Sequence, residues 1–92
     1  MTGNRPKLSE FFRYINGKRV FEILLKPKKS CRYYWKAQIR AEGNSQYRVQ
    51  FFDRFGKPYG AEPNFREDTA ESTLFKTLEE AKIHSRRTLL NQ

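Results

Sequence analysis

The chain has 92 residues, with 19 Lys or Arg against 10 acids and a formal charge of +9. That length makes one domain with a modest core, and no apolar run approaches the ~18 residues of a membrane-spanning helix. The single cysteine, Cys31, excludes an intrachain disulfide and a thiolate metal cage. With no apolar signal core at the N-terminus, these features predict a cytoplasmic protein. The charge is uneven: residues 1–61 carry a net +10, residues 62–75 a net −3 and residues 76–92 a net +2. Such a balance favours a polyanionic partner, and nucleic acid is the commonest one.

Residues 1–7 are polar and read as a flexible basic arm with Arg5 and Lys7. A single α+β domain over residues 8–92 follows. Leu8, Phe11, Phe12 and Ile15 fall at helical spacing, with Ser9 as N-cap and Gly17 just past the end. The same stretch also reads as a strand, which Asn16-Gly17 would join to Lys18–Ile23 through a type I′ turn. The end signals favour a short helix, and an extra hairpin strand is the alternative.

Val20–Leu25 is an apolar, β-branched run and reads as a strand. Lys26-Pro27-Lys28-Lys29-Ser30 is a turn, because Pro27 has no donor for a ladder. Arg32–Arg40 alternates, with Tyr33, Trp35, Ala37 and Ile39 on a core face and Arg32, Tyr34, Lys36, Gln38 and Arg40 on the other. After a loop at Ala41–Ser45, Gln46–Asp53 alternates likewise, with Tyr47, Val49 and Phe51 inward and Arg48, Gln50 and Phe52 outward. Residues 54–73 hold Gly56, Pro58, Gly60 and Pro63 and read as a long mobile loop, with a short further strand near Leu74-Phe75. Thr77-Leu78-Glu79-Glu80 is a capping box that opens a helix whose Leu78, Ala81, Ser85 and Leu89 share one face, with Lys82 and Arg86 on the outer side. The predicted architecture is α+β: a three-stranded antiparallel meander packed on one C-terminal helix.

Enzymatic chemistry has little support. His84 is the only histidine and pairs with Glu80 one turn away as a solvated helix contact. Gly56 and Gly60 are isolated turn residues rather than a phosphate loop, and Glu62, Glu67, Asp68 and Glu71 read as a solvated acidic stretch. No enzyme, cofactor or metal is predicted. The binding pattern is richer. Arg32, Tyr34, Lys36, Gln38 and Arg40 from one strand and Arg48 and Gln50 from the next would present donors to base edges. Lys26, Lys28, Lys29 and Arg54 would meet phosphates. This composition predicts a small non-enzymatic nucleic-acid-binding protein, with duplex DNA favoured.

Tyr34-Trp35-Lys36-Ala37-Gln38-Ile39-Arg40, followed by a further strand and Leu74-Phe75-Lys76-Thr77-Leu78-Glu79-Glu80-Ala81, resembles AP2-type DNA-binding domains. Tyr47–Pro58, with its Asp-x-x-Gly-Lys-Pro turn, is similar to the arm-binding domains of tyrosine integrases, which share the three-strand-plus-helix plan. The resemblance spans residues 31–90; residues 54–72 stand as an insertion, and the glycine that precedes the final Phe in AP2 domains is Thr73 or Leu74 here. It implies base-contacting roles for Arg32, Lys36, Gln38, Arg40 and Arg48. The basic alternating sheet with its capped, small-faced helix predicts an accessory of a phage or mobile element.

A second reading is a modulator that docks on a host DNA-processing complex, such as a nuclease-helicase or recombination machine. Its anchors would be Phe52, Phe55, Tyr59, Pro63 and Phe65. A ribosome-associated RNA binder fits the charge as well, although the chain lacks the aromatic–glycine signature of the common RNA modules.

Overall fold

A computed structural model of the chain describes residues 6–43, 45–59 and 74–92. The first element is a strand, β1 (Lys7–Ile15), paired antiparallel with β2 (Lys18–Lys26) from Lys7↔Lys26 to Ile15↔Lys18. The short-helix reading of Leu8–Ile15 is therefore wrong and the hairpin alternative right. The deciding residues are Asn16 and Gly17, whose φ values of 52° and 78° are those of a type I′ turn. A helix would have buried one stripe of this segment, whereas pairing with β2 satisfies its backbone and leaves side chains of both faces partly exposed.

A 3₁₀ turn at Lys28–Ser30 leads to an irregular stretch over residues 31–35, and β3 runs only from Lys36 to Ala41. The expected strand from Arg32 is thus shortened. Leu25 N–H bonds Trp35 C=O at 2.7 Å and Trp35 N–H bonds Phe52 C=O at 3.0 Å, so pairing persists up to Trp35 and stops there. Tyr33 and Tyr34 give their N–H groups to the Gln92 side chain instead, both at 2.6 Å.

β4 (Tyr47–Phe52) pairs with β3, and its far edge takes β5 (Pro58–Tyr59) at one end and β6 (Leu74–Phe75) at the other. The sheet order is β1-β2-β3-β4-β5, with β6 also on β4. The fold class is α+β, as expected, but the described residues form a sheet of six strands rather than three. Residues 54–59, read as the start of a mobile loop, form a turn and β5; residues 1–5 of the arm and 60–73 of the loop lie outside the described residues.

One helix, α1 (Leu78–Leu90), covers one face of the sheet. Thr77 caps it, its hydroxyl accepting from Glu80 N–H at 3.1 Å. Ala81, Ser85 and Leu89 are buried on Phe21, Ile23, Ala37, Ile39, Val49 and Phe51. The small residues Ala81 and Ser85, both 0% exposed, let the helix sit low on the sheet. The Ser85 hydroxyl is satisfied by donating to Ala81 C=O at 2.8 Å. Lys82 and Arg86 do not point outward as expected. The Lys82 ammonium lies 4.3 Å from the Phe21 ring centroid, and the Arg86 guanidinium grips Glu10 of β1 with two bonds of 2.7 and 2.8 Å. That grip holds the Glu10 carboxyl below the usual carboxylate range. No helix among the described residues is long and apolar enough to cross a membrane.

Candidate nucleic-acid interface

The strand registers place the open-face side chains in rows across the sheet. Nearest the hairpin turn, Arg13, Val20, Arg40 and Arg48 stand opposite one another on β1 to β4. The next row is Phe11, Glu22, Gln38 and Gln50, and the third is Ser9, Leu24, Lys36 and Phe52. Among the described residues, no helix or strand lies over this face. Neighbouring strands are ~4.8 Å apart, so Arg40 and Arg48 are adjacent and Arg13 stands two strands away from Arg40.

A polar network organises the cations. Glu22 is 1% exposed even though its face is uncovered, because the long side chains around it close over it. Its Oε2 accepts from Gln38 Nε2 at 2.8 Å, its Oε1 accepts from Arg13 Nη1 at 3.3 Å, and Lys36 Nζ lies 3.9 Å away. Gln38 in turn accepts from Arg40 Nε at 2.9 Å and Nη2 at 2.7 Å. Arg48 is tethered to Glu42 at 3.0 Å. A buried carboxylate is costly unless paired and hydrogen-bonded, and here it has both kinds of partner. A shallow depression of about 220 Å³ opens on the same face between Ile15, Lys18, Val20 and Arg40.

Of the residues expected to bind nucleic acid, Lys26, Lys36, Gln38, Arg40, Arg48 and Gln50 share this face. Phe52 lies there too, with the Lys36 ammonium 4.5 Å from its ring centroid. Lys28 and Lys29 stand exposed in the turn beyond β2, and the Lys28 ammonium is 4.5 Å from the Trp35 ring centroid. Three expected members, Tyr34, Arg32 and Arg54, are elsewhere. Tyr34 stacks on Phe51, on the helix side, at 5.2 Å between centroids. Arg32 precedes the strand and lines a separate cleft with Arg54. The reason is the irregular stretch: without strand geometry, alternation no longer assigns faces. By the same token Tyr33, expected in the core, is 57% exposed, and Trp35 is only half-buried.

That cleft, about 270 Å³, is lined by Arg32, Tyr33, Tyr34, Asp53, Arg54, Phe55 and Tyr59. The Asp53 carboxylate accepts from Phe55 N–H and Lys57 N–H, both at 2.9 Å, and from the Tyr59 hydroxyl at 3.2 Å. These bonds, led by that from Lys57, hold Asp53 below the usual carboxylate range. Phe55 and Tyr59, taken as protein anchors, thus lie beside two arginines taken as nucleic-acid contacts. Pro63 and Phe65 lie outside the described residues, as do the acids at positions 62, 67, 68 and 71.

Sequence reasoning missed Arg13 and Glu22. The signal for Arg13 was the Asn16-Gly17 turn: a hairpin places Lys7, Arg13 and Lys18 on the face of Lys36 and Arg40. Glu22 sat inside an apolar strand run and drew no notice.

Searches of protein-family models, of curated proteins and of solved structures return no match to this chain. The likeness to AP2-type and integrase arm-binding domains rests on its motif residues alone.

Proposed function

We propose that the protein is a non-enzymatic nucleic-acid-binding protein that lays its open sheet face on duplex DNA. The observation that carries this reading is the row of Arg13, Arg40 and Arg48 beside Gln50 on a face with no covering element among the described residues. Gln38, expected to meet a base, is instead buried and spends its amide on Glu22 and Arg40, so that it positions Arg40. A sheet can enter the major groove, where guanidinium groups pair with guanine and amides with adenine. Lys7, Lys18, Lys26 and Lys36 lie on the same face and would meet phosphates. Glu22 is the sole carboxylate at the open-face positions of β1 to β4, and Gln38, Arg13 and Lys36 consume it. An accessory role in a phage or mobile element is part of the same proposal.

The test is fluorescence anisotropy with a duplex of about 20 base pairs across a salt series. Log affinity should fall linearly with log salt, with a slope of about −0.9 per phosphate contacted. Weak binding with a flat salt dependence would rule the reading out.

A second reading, docking on a host DNA-processing complex, is favoured by one feature on the helix side. An apolar groove of about 280 Å³ runs between Phe12, Arg19, Phe21, Ile39, Tyr47 and Leu78 at the start of α1. Phe12 and Tyr14 are exposed beside it. A stoichiometric protein partner that survives nuclease treatment would favour this reading over DNA binding.

A further inference from the structure

The cleft at the other end of the sheet has a chemistry that the open face lacks. Its two exposed rings, Tyr33 at 57% and Phe55 at 85%, are each accompanied by a guanidinium: Arg32 lies 5.5 Å from the Tyr33 centroid and Arg54 5.8 Å from the Phe55 centroid. Both walls are fixed by hydrogen bonds. On one side the Gln92 side chain accepts from Tyr33 N–H and Tyr34 N–H, and it also donates to Tyr34 C=O. On the other side Asp53 gathers Phe55, Lys57 and Tyr59, and Gly56 takes the positive φ of 88° that the turn requires. Tyr34 and Tyr59, with ring centroids 5.4 Å apart, also line the cleft, and Tyr34 is backed by its stack on Phe51.

We propose that this cleft is a second nucleic-acid site, which takes one unpaired nucleotide: its base on the Phe55 and Tyr33 rings, its phosphate on Arg32 and Arg54. This proposal rests on the duplex-binding reading of the open face. Flat apolar rings offer a stacking surface, and stacking needs a base whose face is free, which a paired base inside a duplex does not present. Pockets for drug-sized ligands run from about 300 Å³ upward. At about 270 Å³ the cleft suits a single base with its phosphate rather than an oligomer. Position supports the same assignment. Lys36 and Phe52 stand on the open face at the sheet end where β3 begins and β4 ends, and the cleft starts at the next residue, Asp53. A strand that leaves a duplex held on the open face meets the cleft as it rounds that end. The protein thus recognises a boundary between duplex and single strand.

The experiment compares a blunt duplex with the same duplex bearing a short thymidine tail, by anisotropy at one salt concentration, for the wild type and for Phe55→Ala. The Phe55 ring is almost wholly exposed, and a matching thermal melt verifies that the variant folds. The wild type is expected to bind the tailed duplex roughly tenfold tighter, and Phe55→Ala should bring the ratio close to one. Equal affinity of the wild type for the two duplexes overturns the proposal, and so does a ratio unchanged in Phe55→Ala. A thymidine oligomer alone separates the two readings. If it binds and Phe55→Ala abolishes that binding while the blunt duplex does not bind at all, the cleft is upheld and the duplex reading of the face fails.

Discussion

Glu22 and Gln38 stand opposite each other on β2 and β3, and Gln38 Nε2 donates to Glu22 Oε2 at 2.8 Å on a sheet face that carries seven of the eight Lys and Arg residues of β1 to β4. Both are buried, at 1% and 3% exposure. The basic face is therefore built on a polar pair, around which Arg13, Lys36 and Arg40 are arranged. Glu22→Gln keeps a partner for Gln38 but removes the charge that Arg13 and Lys36 face. Stability should fall by about 1–2 kcal/mol, read from the urea midpoint. Duplex affinity should rise and its salt dependence steepen, because the face loses its carboxylate.

Arg40→Ala and Arg48→Ala should each weaken duplex binding and each lower the steepness of the salt dependence by about one unit, if the residue meets a phosphate. Where the residue reads a guanine instead, affinity falls by about 1–3 kcal/mol on the preferred sequence and the slope barely changes. Anisotropy against salt, on two unrelated duplexes, distinguishes the two roles.

The Glu10–Arg86 pair fastens β1 to α1 and gives a pH dependence of definite sign. Because Arg86 lowers the folded carboxyl below its ordinary value of 4.5, the pair's stabilisation is present above that value and is lost as pH falls through the folded value. The pair is partly exposed, which limits its worth to about 1 kcal/mol or less. Glu10→Gln should lose that amount at neutral pH and should flatten the fall of the urea midpoint in the acid range.

His84 gives a pH dependence of the same sign from a different cause. It packs on Phe51 and Phe75, with centroids 5.9 and 4.9 Å away, and burial pushes its imidazole below the ordinary value of 6.5. Below 6.5 the unfolded chain takes up a proton that the folded chain refuses, so stability falls as pH drops from there through the folded value. In His84→Gln the slope of the urea midpoint over that window should disappear, whatever packing the substitution costs.

Gln92 stitches the end of α1 to residues 33–34, accepting two backbone N–H groups and donating to the C=O groups of Tyr34 and Leu89. Gln92→Ala should cost about 1–2 kcal/mol. Hydrogen exchange should show the Tyr33 and Tyr34 amides losing protection more than those of β2 and β3.

The parts of the fold legible in the sequence were those with local causes. The Thr77 cap needs only its own first turn, and the alternation of residues 47–52 and the small face of α1 needed only their own periodicity. The first strand was misread because Leu8, Phe11, Phe12 and Ile15 satisfy a helical spacing by coincidence, while Asn16-Gly17 carried the truer signal. The long alternation from Arg32 was cut short by a contact with Gln92, 58 or more positions away, which no local pattern reveals. The shared face of Lys36, Gln38, Arg40, Arg48 and Gln50 was legible because strand parity groups them. Glu22 was not, since its burial depends on the joint register of β1, β2 and β3.

The link from Glu22 through Gln38 to Arg40 bears on the thermodynamics of any encounter. An arginine free in water surrenders about 1.5–2 kcal/mol of rotamer freedom when a contact immobilises it. Arg40 has already given up much of that on folding, with Nε and Nη2 engaged by Gln38, while the residue remains exposed. The conformational entropy lost on association is correspondingly smaller, and the binding enthalpy and off-rate should reflect a guanidinium that arrives already aimed.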